Sequence, residues 1–268
     1  MTIIKSFEGQ KKSEYANPVL KQLEKIMESS LGEENRADIL ANREFFAFED
    51  NKFSLHHDHS ELIDGILGLD VFGVEQKLFR RARALLPRGD IASWGRRMHE
   101  VNQTWVGLHP KTLLTPYSQI YKILNLLNPK EGQVFVDLGA AYGRVGLVLK
   151  SFCPKAKFLG YEYVKERVTE GNRMFEKLHC PNAKLIAQDL FDDDFEIPEA
   201  DFFFIYDFGL PSQIEKTIKQ LSKISQLKRI KIVVRGDAST ELLSKNFSLF
   251  NRGLLTQKTE YFSVFSFY

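Results

Sequence analysis

The chain has 268 residues, 43% hydrophobic and 27% charged, enough to bury the core of one domain of usual size plus an additional part. Its 37 basic and 35 acidic residues leave a net charge of +2, which removes the electrostatic case for a nucleic-acid partner. With two cysteines, no apolar run of about 18 residues and no apolar stretch behind the first lysine, a disulfide scaffold, a membrane span and a secretory leader are not expected, and a cytoplasmic protein is.

Residues 1–112 read as a mainly helical extension. Asn17 can cap a helix opening at Pro18, with Val19, Leu20, Leu23, Ile26 and Met27 on one face and Gly32 at its exit. "REFFAFEDNKFSL" predicts two short strands around a turn at Asp50-Asn51. In "HHDHS", His56, His57 and His59 suggest metal ligands, but no further histidine or cysteine cluster completes a set. A solvated loop or helix cap is expected there, and no metal site. Ser60 is expected to cap a helix through "ELIDGIL", and Val74 to Leu86 forms another. "LPRGD" breaks it, and "WGRRMHEVNQTWVGLHP" reads as an irregular connector.

Residues 113–268 alternate strand and helix. Thr115 is expected to cap a helix opening with Pro116, whose Ile120, Ile123, Leu124 and Leu127 fall at helical spacing. Then follow strand Val134–Leu138, helix Arg144–Ser151, strand Lys157–Tyr161, helix Val164–Leu178 and strands Ala183–Ala187 and Phe202–Tyr206. A helix from Pro211, with Ile214, Ile218, Leu221 and Ile224 inward, leads to strand Ile230–Val234. "FSLFNRG" and "YFSVFSFY" predict a final antiparallel pair. The pattern is that of a doubly wound, Rossmann-like α/β fold: a mostly parallel sheet with an antiparallel C-terminal pair. Ligands of such sheets sit beyond the carboxyl ends of the strands.

Three acids fall at those ends: Asp137 closes the first strand, Glu162 follows the second and Asp189 the third. A carboxylate can accept hydrogen bonds from both hydroxyls of a ribose, which suits Glu162. Asp189 suits an adenine amino group, and Asp137 suits a positive charge. The turn after the first strand holds Gly139, Ala141 and Gly143, and alanine is acceptable there if its φ is negative. The dinucleotide fingerprint G-x-G-x-x-G does not match the spacing Gly139, Gly143, Gly146, and Asp137 would repel a pyrophosphate. S-adenosylmethionine has a ribose, an adenine and a sulfonium but no phosphate, and is the expected cofactor.

"VDLGAAYGRVG", "GYE" and "AQDL" together resemble the first three motifs of the class I S-adenosylmethionine-dependent methyltransferases, over residues 113–268. "TPYSQIYKIL" and "FFIYDFGLPSQIEKTIKQL" are similar to segments of two lysine methyltransferase groups, the non-SET histone type and the mitochondrial ATP synthase c-subunit type. The resemblance implies that Thr115 and Tyr117 touch the methionine part of the cofactor and that Tyr206 to Pro211 line the acceptor site. It implies N-methylation of a protein lysine as the first expectation and of a small molecule as the second. A cofactor-binding interaction module without turnover is the reading from a different class. Asp207 would position the amine first and act as a base second; equally, it could cap the helix ahead of Pro211. Tyr206 would face the methyl group, or pack in the core. The extension would cover the acceptor side. The acidic "FDDDFEIPEAD" is a solvated loop that could draw a basic substrate. Arg235 is the only member of the basic "LKRIKIVVR" considered for a site, and Cys153 and Cys180 are expected to be structural.

Overall fold

The computed structural model describes residues 39–85 and 109–268. The helix expected from Asn17, the break at "LPRGD" and most of the connector after Trp94 lie outside the described residues. Seven strands form one sheet: β1 (Val134–Leu138), β2 (Lys157–Glu162), β3 (Ala183–Ala187), β4 (Phe202–Tyr206), β5 (Ile230–Arg235), β6 (Gly253–Lys258) and β7 (Ser263–Phe267). Their order is β3-β2-β1-β4-β5-β7-β6, with β7 antiparallel to both neighbours and the other pairs parallel. The helices are α1 (Phe53–Leu67), α2 (Val71–Leu85), α3 (Pro110–Leu113), α4 (Tyr117–Leu127), α5 (Arg144–Phe152), α6 (Lys165–Lys177), α7 (Pro211–Leu227) and α8 (Asp237–Lys245).

Both sheet faces are covered, which is why the central strands read as continuous apolar runs. In β4, Phe202 and Phe204 join one core with Phe135 of β1, Ile120 and Ile123 of α4 and Ile63 of α1. Phe203 and Ile205 join the opposite core with Val136 and Leu138 of β1, Ile214 and Ile218 of α7 and Leu243 of α8. The period-2 alternation of strand side chains sorts them. Strand order reverses between β1 and β4, so the crevice where such sheets bind ligands opens at the carboxyl ends of these two strands.

The extension departs from the sequence reading. No strand pair forms at "REFFAFEDNKFSL": Arg43–Phe46 is a single 3₁₀ turn, and α1 starts at Phe53. Phe45, Phe46 and Phe48 are all buried, so the in–out alternation of a half-exposed strand is not available. Ser60 lies inside α1, and its hydroxyl accepts the Tyr117 N–H at 3.0 Å. It therefore serves the first turn of α4. Thr115 does not cap α4, which begins at Tyr117 behind Pro116 with no local side-chain cap. At the other end, β6 begins only where "FSLFNRG" stops, and α8 went unanticipated.

Candidate active site

The turn leaving β1 is built from left-handed residues. Gly139 has φ +89°, Ala141 +46° and Gly143 +73°. A side chain at Gly139 would meet Phe208 Cβ at 2.7 Å, and one at Gly143 would meet the Phe175 ring at 2.7 Å. Glycine is needed at both positions for space as well as conformation. Ala141 does not satisfy the condition of a negative φ. Its N–H donates to Glu162 Oε2 at 2.9 Å, so the carboxylate at the end of β2 holds the strained residue in place. The N–H groups of Gly139 and Ala140 both donate to the Tyr161 carbonyl, each at 2.9 Å, closing the turn onto β2.

Glu162 thus does two jobs. Its Oε1 accepts the Val164 N–H at 2.8 Å, starting α6, while Oε2 serves the turn. Each oxygen thus accepts one backbone N–H and has further acceptor capacity. Asp137 is buried beside it, and burial, then the nearby Glu162 charge, pushes its carboxyl up to about 8. Asp189 stands exposed on the same rim, since Ala187 pairs with Glu162, and its Oδ1 accepts the Phe191 N–H at 2.9 Å. The structure therefore brings Asp137, Gly139, Ala141, Gly143 and Glu162 into one constellation, with Asp189 at its open end.

The extension is bolted to this constellation by charges that sequence reading missed. Glu75 of α2 accepts from Arg167 of α6 at 2.7 and 3.1 Å and from the Tyr142 hydroxyl at 2.8 Å. Arg167 also lies 3.7 Å from Glu162. A second buried pair joins Asp64 of α1 to Arg144, the first residue of α5, whose Nη1 also donates to the Thr115 carbonyl at 3.2 Å. The Tyr117 hydroxyl donates to Asp64 at 2.8 Å, and its ring lies under the Arg144 guanidinium. Tyr117 is thus committed to the joint between α1 and the turn, and Thr115 approaches the turn through its carbonyl. Arg144 sits on the apolar face of α5, which is a sequence signal, whereas Arg167 shares its buried face with Glu170 and offers none.

No protein-family model and no curated protein matches the chain. Among solved structures it is similar to a precorrin-6y C5,15-methyltransferase from Geobacter metallireducens, at 16% identity and TM-score 0.46, covering 59% of this chain and 93% of that one. It is also similar to a SAM-dependent methyltransferase from Aquifex aeolicus, at 15% identity and TM-score 0.42, covering 55% and 88%. An RNA methyltransferase from Salinibacter ruber, in complex with S-adenosyl-L-homocysteine, matches at 19% identity and TM-score 0.42, covering 57% and 92%.

The second half of the crevice is lined by the ends of β4 and β5, where Tyr206 pairs with Arg235. The Tyr206 hydroxyl donates to the Thr112 carbonyl at 2.9 Å, and its ring packs 4.4 Å from the Arg235 guanidinium. Asp207 has φ +21°, and its Oδ1 accepts from the Ser239 N–H at 2.8 Å and the Ser239 hydroxyl at 2.6 Å. It caps α8. The helix ahead of which it was expected to sit, α7, is closed instead by Gln213, whose side chain accepts the Leu210 N–H at 2.7 Å.

The three histidines lie within α1 and are buried, contrary to the solvated loop or cap expected of them. Both ring nitrogens of His56 are engaged, with the Ser118 hydroxyl at 2.8 Å and the Asp50 carbonyl at 3.0 Å. His59 stacks on Phe48, His57 meets Phe53 edge-on, and His56 lies against both of those rings, so the three histidines pack into one aromatic cluster. Burial pushes the Cys180 thiol up to about 11. No helix among the described residues is long and apolar enough to cross a membrane.

Proposed function

We propose that the chain is an S-adenosylmethionine-dependent methyltransferase. The observation that carries the reading is the rim of acids around a phosphate-hostile turn: Glu162 bonded to Ala141, Asp137 buried behind them and Asp189 at the open end. The Glu162 carboxylate already accepts from the turn, where a pyrophosphate would need donors. The acids suit a ligand with a ribose and a positive charge. Asp137 fits the charged end, because it is buried without a cationic partner among the described residues and a cation would draw off its proton. S-adenosylmethionine, when bound, supplies an electrophilic methyl group. Glu162 would then receive the ribose hydroxyls and Asp189 the adenine amino group.

The acceptor enters over the ends of β4 and β5. Asp207 holds a sparsely populated backbone conformation at this point of the rim, as residues that position a reacting group often do. Its Oδ1 is used by Ser239, so Oδ2 is the atom to orient the nucleophile. Tyr206, fixed through its hydroxyl to Thr112, presents its ring to the same space. In-line displacement requires the nucleophile's lone pair about 3 Å from the methyl carbon. Cover by α1 and the tie between Tyr206 and Thr112 favour a small acceptor. Methylation of a protein lysine is the second reading, favoured by Asp192, Asp193 and Asp194, which stand exposed in the loop after β3.

Calorimetry with S-adenosylhomocysteine and with NAD tests the cofactor; binding of NAD alone would overturn the proposal. Methyl-labelled cofactor incubated with cell lysate then separates the acceptors. Label in the small-molecule fraction is expected, and label in protein lysine would select the second reading.

A further inference from the structure

Among the described residues, buried arginines have carboxylates, with one exception. Arg144 is paired with Asp64, and Arg167 with Glu75 and Glu162. Arg235, 6% exposed, has no ion pair among the described residues, and its Nη1 has no hydrogen-bond partner there. The Tyr206 ring lies 4.4 Å from its guanidinium carbon and the Phe53 ring 5.9 Å away. Aromatic contacts cover the faces of a guanidinium, but they leave its N–H edge unsatisfied, and a buried charge without a counter-charge is costly.

An unpartnered ring nitrogen lies against the same Phe53 ring. His57 of α1, 4% exposed, packs edge-on to Phe53 at 4.8 Å, and its Nε2 is also without a partner. Two other charged groups act on Arg235: Arg144, which is paired with Asp64, and the Asp207 carboxylate, which lies beyond ion-pair distance and whose Oδ1 accepts from Ser239. Burial, then the Arg235 charge, pushes His57 down to about 3, so its ring is neutral and offers one N–H.

Position separates this pair from the cofactor. Arg235 ends β5, and β4 lies between β5 and the strand that carries the glycine turn. Two strand spacings, about 10 Å, therefore divide it from the cofactor side of the crevice. We propose that Arg235 and His57 form a recognition site for an anionic group, a carboxylate or a phosphate, carried by the methyl acceptor. The assignment of that group to the acceptor rests on the methyltransferase reading. It makes the substrate an organic acid or phosphate ester small enough to reach beneath the start of α1.

The full chain can be titrated with acetate and with inorganic phosphate while the His57 ring and the Arg235 Nε–H are followed by nuclear magnetic resonance. Assignments come from His57→Phe and Arg235→Gln. A saturable shift of both signals is expected, and the anion giving the tighter isotherm identifies carboxylate or phosphate. Arg235→Gln should weaken that isotherm ~10-fold or more, the loss of a charge-assisted contact, and Arg235→Lys less. Arg235→Lys also serves if the Gln variant does not fold. S-adenosylhomocysteine affinity should stay within about 3-fold in both variants. Absence of a saturable shift with either anion would overturn the site. So would an Arg235→Gln variant that loses S-adenosylhomocysteine but keeps 5′-methylthioadenosine, which lacks the carboxylate, because Arg235 would then hold the cofactor. Failure of the wild-type chain to bind S-adenosylhomocysteine would instead sink the methyltransferase reading, and the anion isotherm would show separately whether the pair binds anions.

Discussion

Ala141 shows how one residue can carry both strain and its remedy. An L-residue in the left-handed region costs about 1–2 kcal/mol, and the Glu162 carboxylate offsets this through the Ala141 N–H. Ala141→Gly should relieve the strain while keeping the bond, with part of the gain returned as unfolded-chain entropy. A net gain of about 0.5–1 kcal/mol, or ~1–4 °C in melting temperature, is expected by calorimetry. Glu162 is the opposite case. Glu162→Ala removes acceptors for two backbone N–H groups and the ribose contact together, so stability should fall by about 2–4 kcal/mol and S-adenosylhomocysteine affinity by ~10²-fold. Asp189→Ala, whose carboxylate makes one local bond at the surface, should cost far less of both. Equal losses in the two variants would remove the ribose assignment. The acids at 137, 162 and 189 were legible because each lies within two residues of a strand's carboxyl end. The sign of φ at Ala141 was not, because it depends on a bond to a residue on another strand.

At the scale of elements, this protein caps its helices from a distance. Ser60 serves α4 from 57 residues away, and Asp207 serves α8 from 32 away. Capping rules read the residue just before a helix, and so Ser60 and Thr115 were assigned to the wrong place, and the cap alternative for Asp207 fell on α7 instead of α8. Asp207 now has a definite structural role, and a test must separate it from the chemical one. Asp207→Asn keeps an acceptor for Ser239 and should melt close to wild type. Asp207→Ala should lose about 1 kcal/mol. Both should lower methyl transfer by ~10²-fold if the negative charge orients the acceptor. If Asn retains full turnover, the carboxylate is only a cap. The extension is held by the same kind of long-range contact: Glu75→Ala leaves Arg167 without its closest carboxylate and should cost about 3–5 kcal/mol, read from denaturant unfolding.

The whole molecule carries an acid sensitivity to which its buried histidines contribute. Burial pushes His59 down to about 3, and neither ring nitrogen has a partner among the described residues. Between pH 6.5, the unfolded value, and 3, the unfolded chain takes up a proton that the folded chain refuses. The stability associated with the neutral ring is therefore complete above about pH 6.5 and is lost progressively as pH falls. His59→Phe, stacked on Phe48, should raise the melting temperature more at pH 5 than at pH 8; an equal gain at both would place the acid sensitivity elsewhere. What the sequence by itself determined is the alternation of strand and helix from residue 115 to β5, the bounds of β1, β3 and β4, and the acids at three strand ends. These follow from apolar periodicity and turn residues, which act over a few positions, and parallel register then aligns the strand ends on one rim. Only the tertiary structure decided which carboxylate meets which arginine, where the caps come from, and that three histidines are buried while Arg235 has no ion pair among the described residues. Those depend on groups that are neighbours in space but tens of residues apart in sequence, where hydrogen bonds and desolvation act and local pattern carries no information.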